Sequence, residues 1–278
     1  MPGAAHPEII DAVRRALEED IGSGDVTSRL CIPEGQRASG RFIARQPLVV
    51  AGVDVLPLIY EARGGVDSFQ LEAGDGQKLK PGGGFASVRG SARTLLECER
   101  TALNFLQRLS GIATLTRQYA DAIAGTRTRI LDTRKTTPGL RRLEKMATAA
   151  GGAVNHRMGL FDFILIKNNH ITAAGGVRPA LERTRNTELP VEIEVRTKQE
   201  LEEALACGAK RLLFDNLTPE EAADWVCFVK NRATVELSGG ITLETVRGYA
   251  EAGADFISVG ALTHSAPAVD INFRISLE

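Results

Sequence analysis

Short apolar runs and helical segments alternate at a nearly constant spacing in the second half of the chain. Runs typical of β-strands begin at residues 191, 211, 234 and 255, so successive starts are 20, 23 and 21 residues apart. Helical patterns fill the gaps, for example at 198–206 and 219–230. Repeated strand–helix units with short apolar strands predict a parallel sheet, either open and doubly wound or closed as a barrel. The even spacing favours the barrel.

The chain changes its rhythm near residue 110. Two more apolar runs, 129–131 and 163–166, belong to the alternating part. Before residue 110 the elements are mixed, and the apolar spacing predicts a long helix over 92–123 that is interrupted near Ser110. The last residues, 269–275, alternate between apolar and polar and could return as a strand to the first part.

Composition excludes several classes of protein. A length of 278 residues allows one large α/β domain or two smaller ones, and 43% hydrophobic residues support a core. A net charge of −1 argues against general nucleic-acid binding, which needs a broad basic face. The four cysteines contain no C-x-x-C pair and are expected to be reduced, structural thiols of an intracellular protein.

The chain is expected to be soluble and cytoplasmic. Residues 1–6 lack the basic and apolar regions of a signal peptide. The longest apolar stretch, 47–60, is broken by Gly52 and Asp54 and cannot span a bilayer. We therefore predict neither a membrane nor a nucleic-acid partner.

Basic side chains are concentrated between Asp132 and His170. This stretch holds seven Lys or Arg and two His against three acids. They form three groups, 132–141, 155–157 and 167–170, two of which lie beside apolar runs. Cations at the ends of core strands converge, so the sequence predicts that a strongly anionic molecule binds there.

The residues that follow the other strands complement this basic region. In a parallel barrel the chemistry collects at the carboxyl ends of the strands. Glu194 and Asp215 lie near two such ends and could hold Mg²⁺. A glycine turn at 238–240, opening a helix predicted over 241–252, could present backbone N–H groups to phosphate. The basic end would then bind a carboxylate-bearing reactant through arginine.

Simpler explanations exist for the individual features. The glycine turn could be only a turn, and Glu192 with Glu194 could lie on an edge strand. His156 and His170 could be structural, and Arg142 and Lys145 are expected to face solvent. On the helix that starts at residue 92, one face carries the polar residues Glu97, Arg100, Asn104 and Arg108. This face either meets solvent or, if the helix is largely buried, leaves Arg100 in need of an anion.

Several ordered segments resemble one family. The run 132–141 reads Asp-Thr-Arg-Lys-Thr-Thr-Pro-Gly-Leu-Arg, residues 155–157 read Asn-His-Arg, and Lys167 is followed by His170. With segments 19–27, 99–104, 110–114 and 238–241, they closely resemble the quinolinate phosphoribosyltransferases, the carboxylating nicotinate-nucleotide pyrophosphorylases. The resemblance covers about residues 18–273.

The resemblance implies a reaction and an architecture. The reaction would join quinolinate and phosphoribosyl pyrophosphate, with Mg²⁺, to give nicotinate mononucleotide, pyrophosphate and CO2. The fold would combine an N-terminal α/β sandwich domain, 1–110 with 267–278, and an incomplete parallel α/β barrel of the TIM type, 111–266, with six to seven strands. The implied assembly is a homodimer with a shared active site, or a hexamer of such dimers.

The resemblance also assigns roles to residues. Lys135, Glu194 and Asp215 would be catalytic, with Lys135 between the substrates and the two acids near the ribose and the metal. Arg100 would come from the neighbouring subunit. The other substrate-binding residues would be Thr133, Arg134, His156, Arg157 and Lys167 around quinolinate, and Ser238, Gly239, Gly240 and Gly260 around phosphate.

Two positions depart from the family pattern. Asn168 stands where an aspartate is frequent, which would weaken a hydrogen bond behind the pocket, and Arg196 replaces a small or acidic residue. Arg196 could contact phosphate or face solvent. The alternative functions are those of a paralogue with another anionic substrate, such as the molybdenum-transport-associated relatives, or of a non-catalytic phosphate or nucleotide sensor.

Overall fold

The computed structural model describes residues 6–277, so the prediction about residues 1–6 lies almost wholly outside the described chain. The chain forms two compact units. The first contains the described residues up to Arg117, then 136–152, then those from Thr263 onward. The second contains 118–135 and 153–262.

Helices and strands alternate along most of the described chain. The helices are α1 Pro7–Ile21, α2 Val26–Cys31, α3 Val55–Glu61, α4 Ala92–Ala122, α5 Arg141–Gly151, α6 Asn168–Ala174, α7 Val177–Arg183, α8 Lys198–Ala206, α9 Pro219–Val229, α10 Val246–Glu251 and α11 Ala261–His264. The strands are β1 Arg37–Ala44, β2 Leu48–Val49, β3 Ser68–Leu71, β4 Lys78–Leu79, β5 Gly84–Ser91, β6 Arg129–Leu131, β7 Ile164–Ile166, β8 Val191–Val195, β9 Arg211–Asp215, β10 Thr234–Ser238, β11 Phe256–Ser258 and β12 Ile271–Leu277.

The first unit is built on a four-stranded antiparallel sheet in the order β12-β1-β5-β3. The carboxyl-terminal strand β12 pairs with β1 along its whole length, so the predicted return of the chain to the first part is confirmed. Phe42 on β1 and Phe273 on β12 are buried with ring centroids 4.7 Å apart. Aromatic packing on one face of the sheet therefore fixes the carboxyl terminus.

Helix α4 is continuous over 31 residues, and the predicted interruption near Ser110 is wrong. The hydroxyl of Ser110 accepts the Ala51 N–H at 3.0 Å, so it serves packing rather than a helix end. A Cβ at Gly111 would overlap the carbonyl oxygen of Pro267. The small residues at this point allow the chain to approach the helix closely, and the helix passes through without a break.

Helix α5 belongs to the first compact unit, although the sequence-based division placed it in the barrel domain. The expectation that Arg142 and Lys145 face solvent is wrong. Lys145 is buried at 1% exposure, and Arg142 is largely covered and pairs with Glu8 at 2.9 Å. Glu144, also fully buried, accepts from Arg108 at 2.9 Å. The Arg108 partner compensates the buried charge of Glu144, whereas the pair of Arg142 and Glu8 lies at the surface on the Glu8 side.

The second unit is a six-stranded parallel sheet in the order β6-β11-β10-β9-β8-β7. Strands β7 to β11 are neighbours in chain order, and β6 lies beside β11. This is the order of an α/β barrel that is open between its first two strands, β6 and β7. The predicted α/β class, with an N-terminal domain and an incomplete parallel barrel of six strands, is confirmed.

Two predictions from composition can be compared with the described residues. Each of the four cysteines is a free thiol, as expected. Within residues 6–277, none of the helices combines the length and the hydropathy that a membrane span requires.

Candidate active site

The carboxyl ends of the parallel strands bring several of the predicted residues to one edge of the second unit. In the sheet, Asp215 at the end of β9 lies opposite Ser238 at the end of β10. Leu131 at the end of β6 lies opposite Ser258 of β11. The segments that begin at Asp132 and Gly260 therefore leave neighbouring strands at the same edge.

Strand β8 supplies an acid to this edge. Glu194 is 5% exposed, and its Oε2 lies 3.3 Å from the Nζ of Lys167, which follows β7. Glu192 is two residues earlier and on the same face, because side chains alternate along a strand. The edge-strand explanation for these acids is wrong, since β8 lies between β7 and β9.

Two arginines from different segments are held near each other. Burial lowers the pKa of the Arg157 guanidinium, and the charge of Arg134 lowers it further. Arg157 Nη1 donates to the carbonyl of Phe163 at 3.1 Å, which fixes the side chain. The charges of Asp162 and Glu192 act in the opposite direction, so Arg157 lies in a surrounding of mixed charge. Two neighbouring arginines are typical of a pocket for a carboxylate-bearing molecule.

Asp132 organises the loop that carries Arg157, and sequence reasoning did not select it. Its side chain is fully buried and accepts from Asn155 Nδ2 at 2.7 Å and from the His156 main-chain N–H at 2.8 Å. The signal was present, because a lone acid opening a basic segment directly after an apolar strand needs a partner.

The turn at 238–240 differs from its prediction. The helix expected from residue 241 begins only at Val246, so no helix start follows the glycines directly. The main-chain N–H of Thr242 donates to the hydroxyl of Thr245 at 3.0 Å, and this local bond forms a turn instead. Gly239 has φ +100°, and a Cβ there would overlap Asn216. The glycine is therefore required by close packing against the loop after β9.

A buried cluster lies inside the second unit and was not predicted as a group. His156 Nε2 is 3.4 Å from Oε2 of Glu192 and 3.4 Å from Oε2 of Glu236. Burial alone would lower the pKa of His156, but the two carboxylates raise it to about 9. Burial and the charge of Glu236 raise the pKa of Glu192. The members are up to 80 residues apart in sequence, so only the fold reveals the cluster.

The remaining predicted residues lie around these features. The Thr133 hydroxyl accepts the main-chain N–H of Lys135 at 3.0 Å, and Lys135 is exposed. His170 Nδ1 accepts the Lys167 N–H at 2.9 Å, so the structural explanation of His170 is confirmed. Arg100 is exposed on α4 in the first unit.

The two positions that depart from the family pattern have local partners. Asn168 Oδ1 accepts from the Asn169 N–H at 2.7 Å. Arg196 pairs loosely with Glu200 at 3.8 Å and is half exposed. Arg196 was expected either to contact phosphate or to face solvent, and in the structure it faces solvent.

Comparison with known proteins identifies the family. A model of the quinolinate phosphoribosyl transferase C-terminal domain matches residues 112–274, and one of the N-terminal domain matches residues 25–110. The chain belongs to the quinolinate phosphoribosyltransferase family. It is 43% identical to the nicotinate-nucleotide pyrophosphorylase [carboxylating] of Mycobacterium leprae, over 95% of this chain and 96% of that protein.

Solved structures of the family have the same fold. The crystal structure of NadC from Streptococcus pyogenes superposes with a TM-score of 0.93 at 36% identity, covering 98% of this chain and 97% of that one. The nicotinate-nucleotide pyrophosphorylase from Francisella tularensis gives a TM-score of 0.92 at 35% identity, covering 98% of both chains. The match spans both units of this quinolinate phosphoribosyltransferase family member.

Proposed function

We propose that this protein transfers the phosphoribosyl group of phosphoribosyl pyrophosphate to quinolinate, with loss of CO2, and forms nicotinate mononucleotide and pyrophosphate. Family membership supports the reaction. The observation that carries it is the pairing of Arg134 with Arg157, two cations whose repulsion lowers the pKa of Arg157. A dicarboxylate such as quinolinate suits two neighbouring arginines, because each guanidinium can bind one carboxylate.

The quinolinate pocket is assigned to the basic side chains of the second unit. Arg134, Arg157 and Lys167 bind the two carboxylates, and Thr133 and His156 line the same pocket. Guanidinium groups suit this role because their planar N–H groups match a carboxylate in a bidentate manner. Arg100 of a second subunit closes the pocket, which gives this exposed arginine of α4 an anionic partner.

The sugar donor is assigned to the acids and the small residues at the neighbouring strand ends. Glu194 and Asp215 bind the ribose, and Lys135 lies between the two substrates. The backbone N–H groups of the two turns contact phosphate oxygens, through Ser238, Gly239, Gly240 and Gly260. The tight packing of Gly239 against Asn216 keeps the first turn rigid.

The residues act on charge that develops during the reaction. The pyridine nitrogen attacks the ribose carbon while the bond to pyrophosphate breaks, so positive charge grows on the sugar. The carboxylates of Glu194 and Asp215 stabilise that charge. The pyridinium ring then accepts the electron pair of the breaking carbon–carboxylate bond, CO2 leaves, and a proton takes its place. Arg134 and Arg157 hold the ring oriented through both steps.

Glu194 and Asp215 also fit the predicted Mg²⁺. Both offer carboxylate oxygens at adjacent strands, and Mg²⁺ binds through one or two carboxylates together with substrate phosphates. When bound, the ion would neutralise part of the charge on the departing pyrophosphate. The substrate phosphates would supply most of its ligands.

The assembly that fits this site is a homodimer, alone or within a hexamer, in the cytoplasm. Arg100 is assigned to a partner subunit by the resemblance to the family, and as an exposed residue of α4 it is accessible to a second chain. Four free thiols agree with a reducing compartment.

The proposal is tested by incubating the purified protein with quinolinate, phosphoribosyl pyrophosphate and Mg²⁺. We expect nicotinate mononucleotide and CO2 in equal amounts, and no CO2 when nicotinate replaces quinolinate. Omission of Mg²⁺ with EDTA present should abolish turnover. Absence of both products, with tight binding of phosphate or nucleotide, would instead indicate a sensor.

A further inference from the structure

His156 lines the proposed pocket, but the two glutamates next to its ring, Glu192 and Glu236, have no part in the proposed reaction. Both glutamates are at most 1% exposed, and each is 3.4 Å from His156 Nε2. Arg211 adds one positive charge, with its Nε 3.9 Å from Glu192. The side chain of Arg211 packs against the rings of Phe163 and Phe256, at 5.3 and 5.7 Å from their centroids. The two carboxylates are therefore buried, while Arg211 remains partly exposed at 30%, and their charge is balanced by His156 and Arg211.

One histidine and two carboxylates are also a possible set of metal ligands, and their ligand atoms lie within 4.8 Å of one another. The other ring nitrogen argues against a metal. His156 Nδ1 accepts the main-chain N–H of Arg157 at 2.6 Å, so it carries no hydrogen. The hydrogen of a neutral ring then lies on Nε2, where it faces the two glutamates. A metal on Nε2 would need that hydrogen on Nδ1 instead.

We propose that Glu192 and Glu236 are positioning residues, which fix the ring of His156 and, through its Nδ1, the main chain of Arg157. His156 thus serves the pocket by holding Arg157 rather than by contacting quinolinate through a ring nitrogen. A second restraint acts from the loop side, because Asp132 accepts the His156 N–H at 2.8 Å. The guanidinium of Arg157 is tied to Phe163, whose ring also meets the His156 ring at 5.1 Å. The inference rests on the proposed function at one point only, namely that Arg157 binds quinolinate.

The state of the His156 ring tests the first half of this proposal without any substrate. In ¹⁵N-labelled protein at pH 7, the resonances of His156 are assigned by their loss in His156→Gln. We expect hydrogen on Nε2 and a bare Nδ1, because the extra proton that the cluster retains at this pH lies on the side of the two carboxylates. A hydrogen on Nδ1, or a shift of Nε2 on addition of Zn²⁺ or Mg²⁺ to the protein, would overturn the proposal in favour of a cation or a metal site.

Steady-state kinetics test the second half. Glu192→Gln and Glu236→Gln keep the side-chain shape but weaken the hold on Nε2. We expect the KM for quinolinate to rise about tenfold or more, the size of effect seen when the hydrogen-bond partner of a metal-bound histidine is removed. The KM for phosphoribosyl pyrophosphate should stay within about twofold. The matched control is Glu202→Gln, an exposed acid on α8, which should change neither KM.

The outcomes separate the two proposals. If the wild-type protein makes no nicotinate mononucleotide, the proposed function fails while the result on the ring still stands. If the wild type is active but both glutamine variants keep the wild-type KM for quinolinate, the positioning role is wrong. Equal rises in both KM values would also contradict it, because they indicate a general loss of structure. Where a variant does not fold, the ring measurement on the wild type alone decides.

Discussion

At the scale of single residues, the proposed site consists of charged side chains that the fold holds close together. Arg134 and Arg157 come from separate loops, and their proximity lowers the pKa of Arg157. Lys167 differs, because it already has Glu194 as a partner at 3.3 Å. The proposed roles of the two arginines and of Lys167 can therefore be tested separately.

Replacement of Arg134 should affect quinolinate more than stability. We expect Arg134→Ala to lower kcat/KM for quinolinate by at least about thirtyfold, which corresponds to the roughly 2 kcal/mol or more lost when one member of a buried charge pair is truncated. The control is Arg129→Ala, an exposed arginine that starts strand β6, at its opposite end. Thermal unfolding should be similar in both variants. Near-normal activity in Arg134→Ala would refute the assignment of the pocket.

At the scale of elements, three neighbouring strands direct charged side chains into the interior of the second unit. Glu192 on β8, Arg211 on β9 and Glu236 on β10 are two acids and one base. With His156 they share a proton and titrate as a unit, so the pKa of about 9 describes the cluster, and the bare Nδ1 of His156 places that proton between Nε2 and the two carboxylates. The raised pKa values of His156 and Glu192 both mean that the folded chain retains this proton to higher pH than the unfolded chain does.

The shared proton predicts the direction in which the stability of the protein changes with pH. The contribution is fully present below about pH 6.5 and is lost as the pH rises toward about 9, because the unfolded chain then binds fewer protons than the folded chain. We expect the free energy of unfolding in urea to fall by on the order of 1–3 kcal/mol across this window. The double variant Glu192→Gln/Glu236→Gln removes both acids and should flatten the slope. An equal slope in wild type and variant would show that other groups cause it.

At the scale of the whole molecule, the proposed site needs two chains. The residues that we propose to bind quinolinate belong to the second unit, whereas Arg100 belongs to helix α4 of the first unit. In a symmetric dimer each chain gives to its partner the same group that it receives. Loss of Arg100 on one chain and of Lys167 on the other would therefore damage the same site and leave the second site intact.

Mixed dimers provide the test. Arg100→Ala and Lys167→Ala should each be nearly inactive as pure proteins. After unfolding and refolding together in equal amounts, half of the dimers contain one chain of each kind, and one of their two sites is intact. We therefore expect about a quarter of the wild-type activity. The mixture should stay inactive if each chain forms its site alone, and refolded wild type serves as the control for recovery.

Much of the fold follows from local patterns in the chain. The strand at 191–195 and the helix at 198–206 agree with their sequence-based bounds, because their apolar periodicity and the Thr197 cap are local signals. The family resemblance was also local, carried by uninterrupted runs such as 132–141. These features need no knowledge of distant contacts.

Other features were decided only by tertiary contacts. Lys145 is buried, although its local pattern predicted a residue that faces solvent. The helix after Gly240 begins only at Val246, because residues 242–245 form a turn. The acids of β8 lie in an interior strand, because β7 and β9 pair on either side of it. The sequence alone determined which strands exist and which charges stand at their ends. Only the fold decided which charges meet, since His156, Glu192 and Glu236 become neighbours through the pairing of parallel strands.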